Sequence, residues 1–120
     1  MNKLHIEHTE DTPKVILSKE EGHFEISGRS LPEDATSFYA PILSWLEEYS
    51  KNENESTVFK VNLEYFNTAS SKLILDVFTQ LEEIKNVKVQ WFFHDDDEDM
   101  EEAGEEFSEI IDIEFELIPV

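Results

Sequence analysis

Polar and apolar residues alternate in several short runs, and between them the apolar spacing switches to that of a helix. In "KVILSKEEGHFEISG", Val15 and Leu17 alternate with polar neighbours, "KEEG" supplies a turn, and Phe24 and Ile26 resume the alternation. That pattern predicts a β-hairpin, with a weaker alternation at Leu4 and Ile6 before it. "GRSLPEDA" reads as a loop, with Gly28 and Pro32 as breakers and Asp34 as a helix N-cap. From Ala35 to about Ser50, Phe38, Ile42, Trp45, Leu46 and Tyr49 recur at helical spacing. Pro41 falls inside that stretch and is expected to kink the helix, or to mark a short turn before the main helix begins. The connection 50–56 is polar.

"STVFKVNLEYF" predicts a strand with Phe59, Val61, Leu63 and Tyr65 on one face and Val58, Lys60, Asn62 and Glu64 on the other. A second helix is predicted over about Ser70 to Ile84, burying Leu73, Ile74, Val77, Phe78, Leu81 and Ile84. "NVKVQWFFH" continues as a strand with Val87, Val89, Trp91 and Phe93 on one side. A third helix over about 97–109 carries Met100, Ala103 and Phe107, and "IDIEFELI" closes the chain as a strand. Strands alternating with helices imply right-handed crossovers. The expected fold class is α/β: one domain over residues 1–120, with a mixed, mostly parallel sheet, an N-terminal hairpin and about three helices. The polar faces of the strands suggest that helices cover one side of the sheet and leave the other partly wet.

Composition narrows the function. Acidic side chains number 29 against 9 basic ones, for a formal charge of −20. Such a chain repels phosphate backbones and anionic lipid, so no nucleic-acid or membrane partner is expected. It suits a soluble protein whose partners present basic patches, although a solvated acidic surface needs no partner at all. Repulsion at that charge also favours a monomer. The absence of cysteine excludes disulfides, thiolate metal sites and a cysteine nucleophile. No apolar leader opens the sequence and no stretch reaches membrane-spanning length, so a cytoplasmic location is expected.

Little points to catalysis. His5, His8, His23 and His94 lie in no metal or nucleophile motif, and three glycines supply no phosphate cradle. No enzyme activity and no cofactor are expected. "HDDDEDMEE" invites a calcium reading, but an EF-hand loop needs glycine at its sixth position, and counting from Asp95 the sixth residue is Met100. Asp96 or Asp97 capping the third helix, with further acids favouring its dipole, accounts for the run without a metal.

"YFNTASSK" is harder to dismiss. Asn67, Thr68 or Ser70 would each suffice as the N-cap of the second helix, stabilising it by about 1 kcal/mol. One cap needs one side chain, yet Thr68, Ser70 and Ser71 crowd together here, and Lys72 sits where a cation opposes the helix dipole. An anion, bound or covalently attached to a hydroxyl, makes both features intelligible. Cap and phosphorylation site remain equally good readings of the pattern, and one residue can serve as both.

The segments "FEISGRSLPEDA", "FYAPILSWLEEY", "LEYFNTASSKLILD" and "VQWFFHDDDEDMEEAGEEF" resemble the SiaC family of bacterial regulatory phosphoproteins, over about residues 12–118. The resemblance implies a fold similar to STAS domains, the anti-sigma factor antagonist class. It also implies a threonine phosphorylated by a serine/threonine kinase and dephosphorylated by a PP2C-type phosphatase. The unphosphorylated form would bind and promote an effector such as a diguanylate cyclase, the enzyme class that makes the cyclic-di-GMP linked to biofilm growth. Carried onto this chain, the acceptor falls on Thr68, with Ser70 and Ser71 as runners-up. Ala69 stands where family members often have serine, which removes one rival. Asn67, Ser70, Ser71 and Lys72 frame the switch, and Asp76, Thr79 and Gln80 are candidate partner contacts. "SGRSLPE" is expected beside it. The alternatives are an anti-sigma factor antagonist and an acidic domain that binds a small anion or metal.

Overall fold

The computed structural model describes residues 1–120. Six strands form one sheet: β1 (Leu4–Ile6), β2 (Lys14–Ser18), β3 (His23–Ser30), β4 (Thr57–Phe66), β5 (Val87–Phe93) and β6 (Glu114–Pro119). Three helices connect the last four: α1 (Ala35–Tyr49), α2 (Thr68–Leu81) and α3 (Glu98–Ile110). Strand order in the sheet follows chain order, β1 to β6. The β1–β2 and β2–β3 pairs are antiparallel and the remaining three are parallel. The α/β class, the hairpin and the three helices agree with the sequence pattern, and the weak alternation at Leu4 and Ile6 is a real edge strand.

Register shows how the alternation becomes a core. Leu17, Phe24, Phe59, Val89 and Phe115 stand side by side across five strands, as do Val15, Ile26, Val61, Trp91 and Leu117. Between these rows lie Ile16, Glu25, Lys60, Gln90 and Glu116, on the opposite face. The first two rows pack against the apolar stripes of all three helices, including Ile42, Leu46, Val77, Phe78 and Phe107. Consecutive right-handed crossovers that all step in one direction put every helix on one face. The other face stays open and carries the ion pairs Lys14–Glu25 and Lys88–Glu116.

Five details depart from the pattern. Strand β3 runs on to Ser30, so residues 28–30, read from the sequence as the start of a loop, pair with β4 instead. Helix α1 runs unbroken through Pro41, so no separate turn precedes it. Pro41 and Ser37, whose carbonyl loses its helical partner, are both exposed, and water can satisfy that oxygen. The α1 stripe also includes the fully buried Tyr39, which the Phe38–Ile42–Trp45 spacing overlooks. Helix α2 begins at Thr68 and ends at Leu81; Ile84 is buried, but from the turn beyond it. Finally, Tyr65 does not face the core: it is 54% exposed.

Glycine 104 is a core position that no periodicity flags. A Cβ there would lie 2.6 Å from Trp91 Cδ1 and 2.7 Å from Leu117 Cδ2, so α3 approaches the sheet closely only because the side chain is missing. The Trp91 indole N–H, buried beneath this helix, donates to the Met100 carbonyl at 3.0 Å.

Candidate functional site

The exposure of Tyr65 follows from a β-bulge. Gly28 pairs with Leu63, but the next residue, Arg29, pairs with Tyr65, so Glu64 is an extra residue in β4. Opposite it, Gly28 holds φ at +114°, a conformation side-chain-bearing residues rarely adopt. One inserted residue reverses the alternation of everything after it. Tyr65 therefore turns out to solvent, and Phe66 turns in, edge-on to Trp91 with ring centroids 6.2 Å apart.

Directly after Phe66 the chain enters α2. Asn67 is its N-cap: extended backbone at φ −89° and ψ 174° aims its side chain at the first turn, where Oδ1 accepts from the Ser70 amide at 2.8 Å. Of the three N-cap candidates, the asparagine takes the position. Its own amide donates to the Ser30 carbonyl at 3.1 Å, tying the start of α2 to the end of β3.

The hydroxyls then part company. Thr68, the first helical residue, is exposed, Ser71 is half-buried and Ser70 is fully buried. Ser70 Oγ lies 2.8 Å from Ser30 Oγ and donates to the Ser30 carbonyl at 3.0 Å. Tyr39 Oη lies 2.7 Å from Ser30 Oγ. Each hydroxyl has one proton, so the direction is determined: Tyr39 donates to Ser30, Ser30 to Ser70, and Ser70 to the Ser30 carbonyl. This chain joins α1, β3 and α2 with every hydroxyl proton used, and no buried side-chain polar atom in the protein lacks a partner. Burial pushes the Tyr39 phenol up to about 12, against a smaller downward pull from its bond to Ser30. The "SGRS" segment thus lies beside "NTASSK", as the sequence suggested, and Ser30 makes the contact.

Thr68, Ser71 and Lys72 face a shallow groove of about 380 Å³ between α2 and α3, with Phe66, Leu75, Phe107 and Ile110 along it and Glu106 opposite. A second hollow of about 280 Å³ adjoins it through the shared Phe66 and Ala103, and is bounded by Tyr65, Met100, Asp97 and Asp99. The exposed large hydrophobic residues are Met1, Tyr65, Ile110 and Val120. The two that are not at chain ends both border this surface. Asp76 lies one turn beyond Lys72 and is half-buried; Thr79 is exposed and donates its hydroxyl back to the Leu75 carbonyl, and Gln80 is half-buried.

Charge around the site is uneven. The six ion pairs join residues of β1 to β3, α1, β5, β6 and their loops, and none involves α2 or α3. Lys72 therefore has no carboxylate partner. Asp97 caps α3, accepting from the Met100 amide at 3.0 Å, and Glu98, Asp99 and Glu101 occupy its first turn. The first turn of α2 carries no acid. Tyr39, Ser30, Tyr65, Glu106 and Ile110 were not singled out by the sequence as site residues; the polar end of "EISGRS" was the only trace of the buried chain.

Comparison with known proteins places this geometry. The model of the SiaC family regulatory phosphoproteins matches residues 6–120. An uncharacterized protein of Pseudomonas aeruginosa strain UCBPP-PA14 is 28% identical over 113 residues, 91% of this chain and 90% of that protein. The crystal structure of apo-SiaC from Pseudomonas aeruginosa superposes with a TM-score of 0.88 at 27% identity, covering 98% of this chain and 99% of that one. A chain in the crystal structure of the diguanylate cyclase SiaD in complex with its activator SiaC, from the same organism, gives a TM-score of 0.91 at 26% identity over 98% of this chain and 99% of that one.

Proposed function

Because the chain belongs to the SiaC family of regulatory phosphoproteins, we propose that it is a partner-switching module with Thr68 as its phosphorylated residue. Its unphosphorylated form binds and activates an effector, a diguanylate cyclase. The observation that carries the choice of residue is the fate of the three hydroxyls. Thr68 is exposed on the α2–α3 groove, whereas Ser70 is buried with its proton donated to the Ser30 carbonyl. Ser71, half-buried one turn on, is less open than Thr68. Structural likeness to the activator in the SiaD complex supports the effector class.

In this reading a serine/threonine kinase transfers the terminal phosphoryl group of a nucleoside triphosphate to Thr68 Oγ1, releasing the diphosphate and the hydroxyl proton. A PP2C-type phosphatase hydrolyses the ester. The chain acts in the cytoplasm as a monomer, by binding rather than by catalysis. Phosphorylation adds about −1.5 to −2 charge at the groove. A docked partner would have to desolvate that dianion among Glu64, Asp76 and Glu106, and a cost of about 3 kcal/mol weakens binding more than a hundredfold.

Two measurements test the reading. Intact-mass analysis of the chain purified from its native cells, with and without PP2C-type phosphatase treatment, is expected to show one removable phosphoryl group that Thr68→Ala abolishes. A shift that persists in Thr68→Ala moves the switch to another hydroxyl; no shift under any growth condition rejects phosphorylation. Titration into Pseudomonas aeruginosa SiaD, followed by cyclic-di-GMP production, is expected to show activation by the unmodified chain and none by Thr68→Glu. Equal activation by both rejects the switch.

A further inference from the structure

Lys72 is the one charged residue of the frame, and no side chain of the protein pairs with it. It sits in the second turn of α2 without an ion pair, in a chain with 29 acidic side chains. Thr68 and Lys72 are four residues apart on one helix, which stacks their side chains on the same face, about 5–6 Å apart at Cβ. Both line the α2–α3 groove.

Resting on Thr68 as the modified residue, we propose that Lys72 is the intramolecular receptor for that phosphate. Its ammonium is free in the unmodified protein and closes onto the phosphate along the α2 wall of the groove once Thr68 is modified. The chemistry suits the pair. A phosphate presents three acceptor oxygens, and an ammonium on a flexible stem reaches them as a point charge without needing a fixed angle. Modification then changes the groove twice over: it adds a dianion, and it removes from partners the only cation lining the groove. The unmodified protein, by contrast, offers Lys72 to a carboxylate on its partner. The other charges in reach oppose the clamp. Glu106 faces it from α3 within the same groove, Glu64, Asp97 and Asp99 border the adjoining hollow, and Asp76 follows one turn along α2.

The test does not need the kinase. Phosphothreonine is incorporated at position 68 during translation, and its second ionisation is followed by phosphorus NMR against pH. A free phosphothreonine loses that proton near about 6. An ion pair favours the dianion, so Lys72→Met is expected to raise the midpoint by about half a pH unit relative to the parent. Lys72→Arg should restore the parent value, and Glu106→Gln should lower it further. Lys85→Met, removing an exposed cation beyond the far end of α2, is the control for net charge. A Lys72→Met shift no larger than that of Lys85→Met overturns the clamp. A phosphate seated by Lys72 in a protein that its own cells never phosphorylate would keep the clamp and reject the switch, so the two ideas fail separately.

Discussion

Removing the Ser70 hydroxyl should cost far more than its size suggests. Ser70→Ala deletes one oxygen from a buried position, leaving the Ser30 proton without its acceptor and the Ser30 carbonyl with only the Asn67 amide. Reversing the chain does not help. If Ser30 turns its proton to Tyr39, the phenol proton is orphaned in its place, because Tyr39 is 0% exposed and has no other side-chain hydrogen bond. An unsatisfied buried donor costs about 1–3 kcal/mol, so a loss of about 2 kcal/mol is expected. For a domain of this length that corresponds to a fall in Tm of about 8 °C. Urea unfolding followed by tryptophan fluorescence measures the loss directly. Ser30→Ala should cost a similar amount. The double variant should lose less than the sum by about 1 kcal/mol or more, since each single change already breaks the shared bond. A Ser70→Ala protein within about 0.3 kcal/mol of the parent, or a strictly additive double variant, would refute the assigned proton directions.

Three further outcomes follow. Tyr39 keeps its proton up to about 12 when folded, above the ordinary tyrosine value of about 10. The unfolded chain therefore releases this proton first as pH rises. The stabilisation is complete below pH 10 and is lost as pH climbs through 12, by about 3 kcal/mol, and Tyr39→Phe should remove that part of the alkaline decline in urea midpoints. Gly104→Ala should be destabilising by about 1–2 kcal/mol by urea denaturation, because overpacking against the Trp91 ring and Leu117 outweighs the roughly 1 kcal/mol that alanine gains in a helix. Asn67→Ala should cost about 1 kcal/mol and speed amide hydrogen exchange at Ser70, whose N–H loses its cap.

The strands and helices were legible because alternation and helical spacing are local properties of the chain, written in Phe59, Val61 and Leu63 or in Leu73, Val77 and Leu81. The misreadings came where a neighbouring element decides. Tyr65 continues the alternation of β4 without a flaw, and only its pairing with β3, at the bulge opposite Gly28, turns it outward. Ser70 and Thr68 are alike in polarity, and their separation into a buried link and an exposed hydroxyl depends on where Ser30 and Tyr39 stand. Asn67, by contrast, caps its helix by a contact three residues away, and the sequence contained it. Gly104 marks the limit: its role lies in a distance to Trp91 that no spacing encodes.

The order of the strands has a consequence for how the protein is made. Since each strand lies beside its predecessor, no later segment must be inserted between two that have already paired. The emerging chain can extend the sheet in the order of its synthesis, adding one helix-and-strand unit at a time to the growing border. Every intermediate exposes its newest strand as an unpaired edge, and the last addition replaces that edge with one less ready to pair. The final strand, with Glu114 and Glu116 in its body and Pro119 at its end, brings charge and a missing backbone donor to the border it leaves open. The C-terminal strand thereby serves as the terminator of a one-way assembly, and chains stalled before residue 114 should be the form most prone to aggregate.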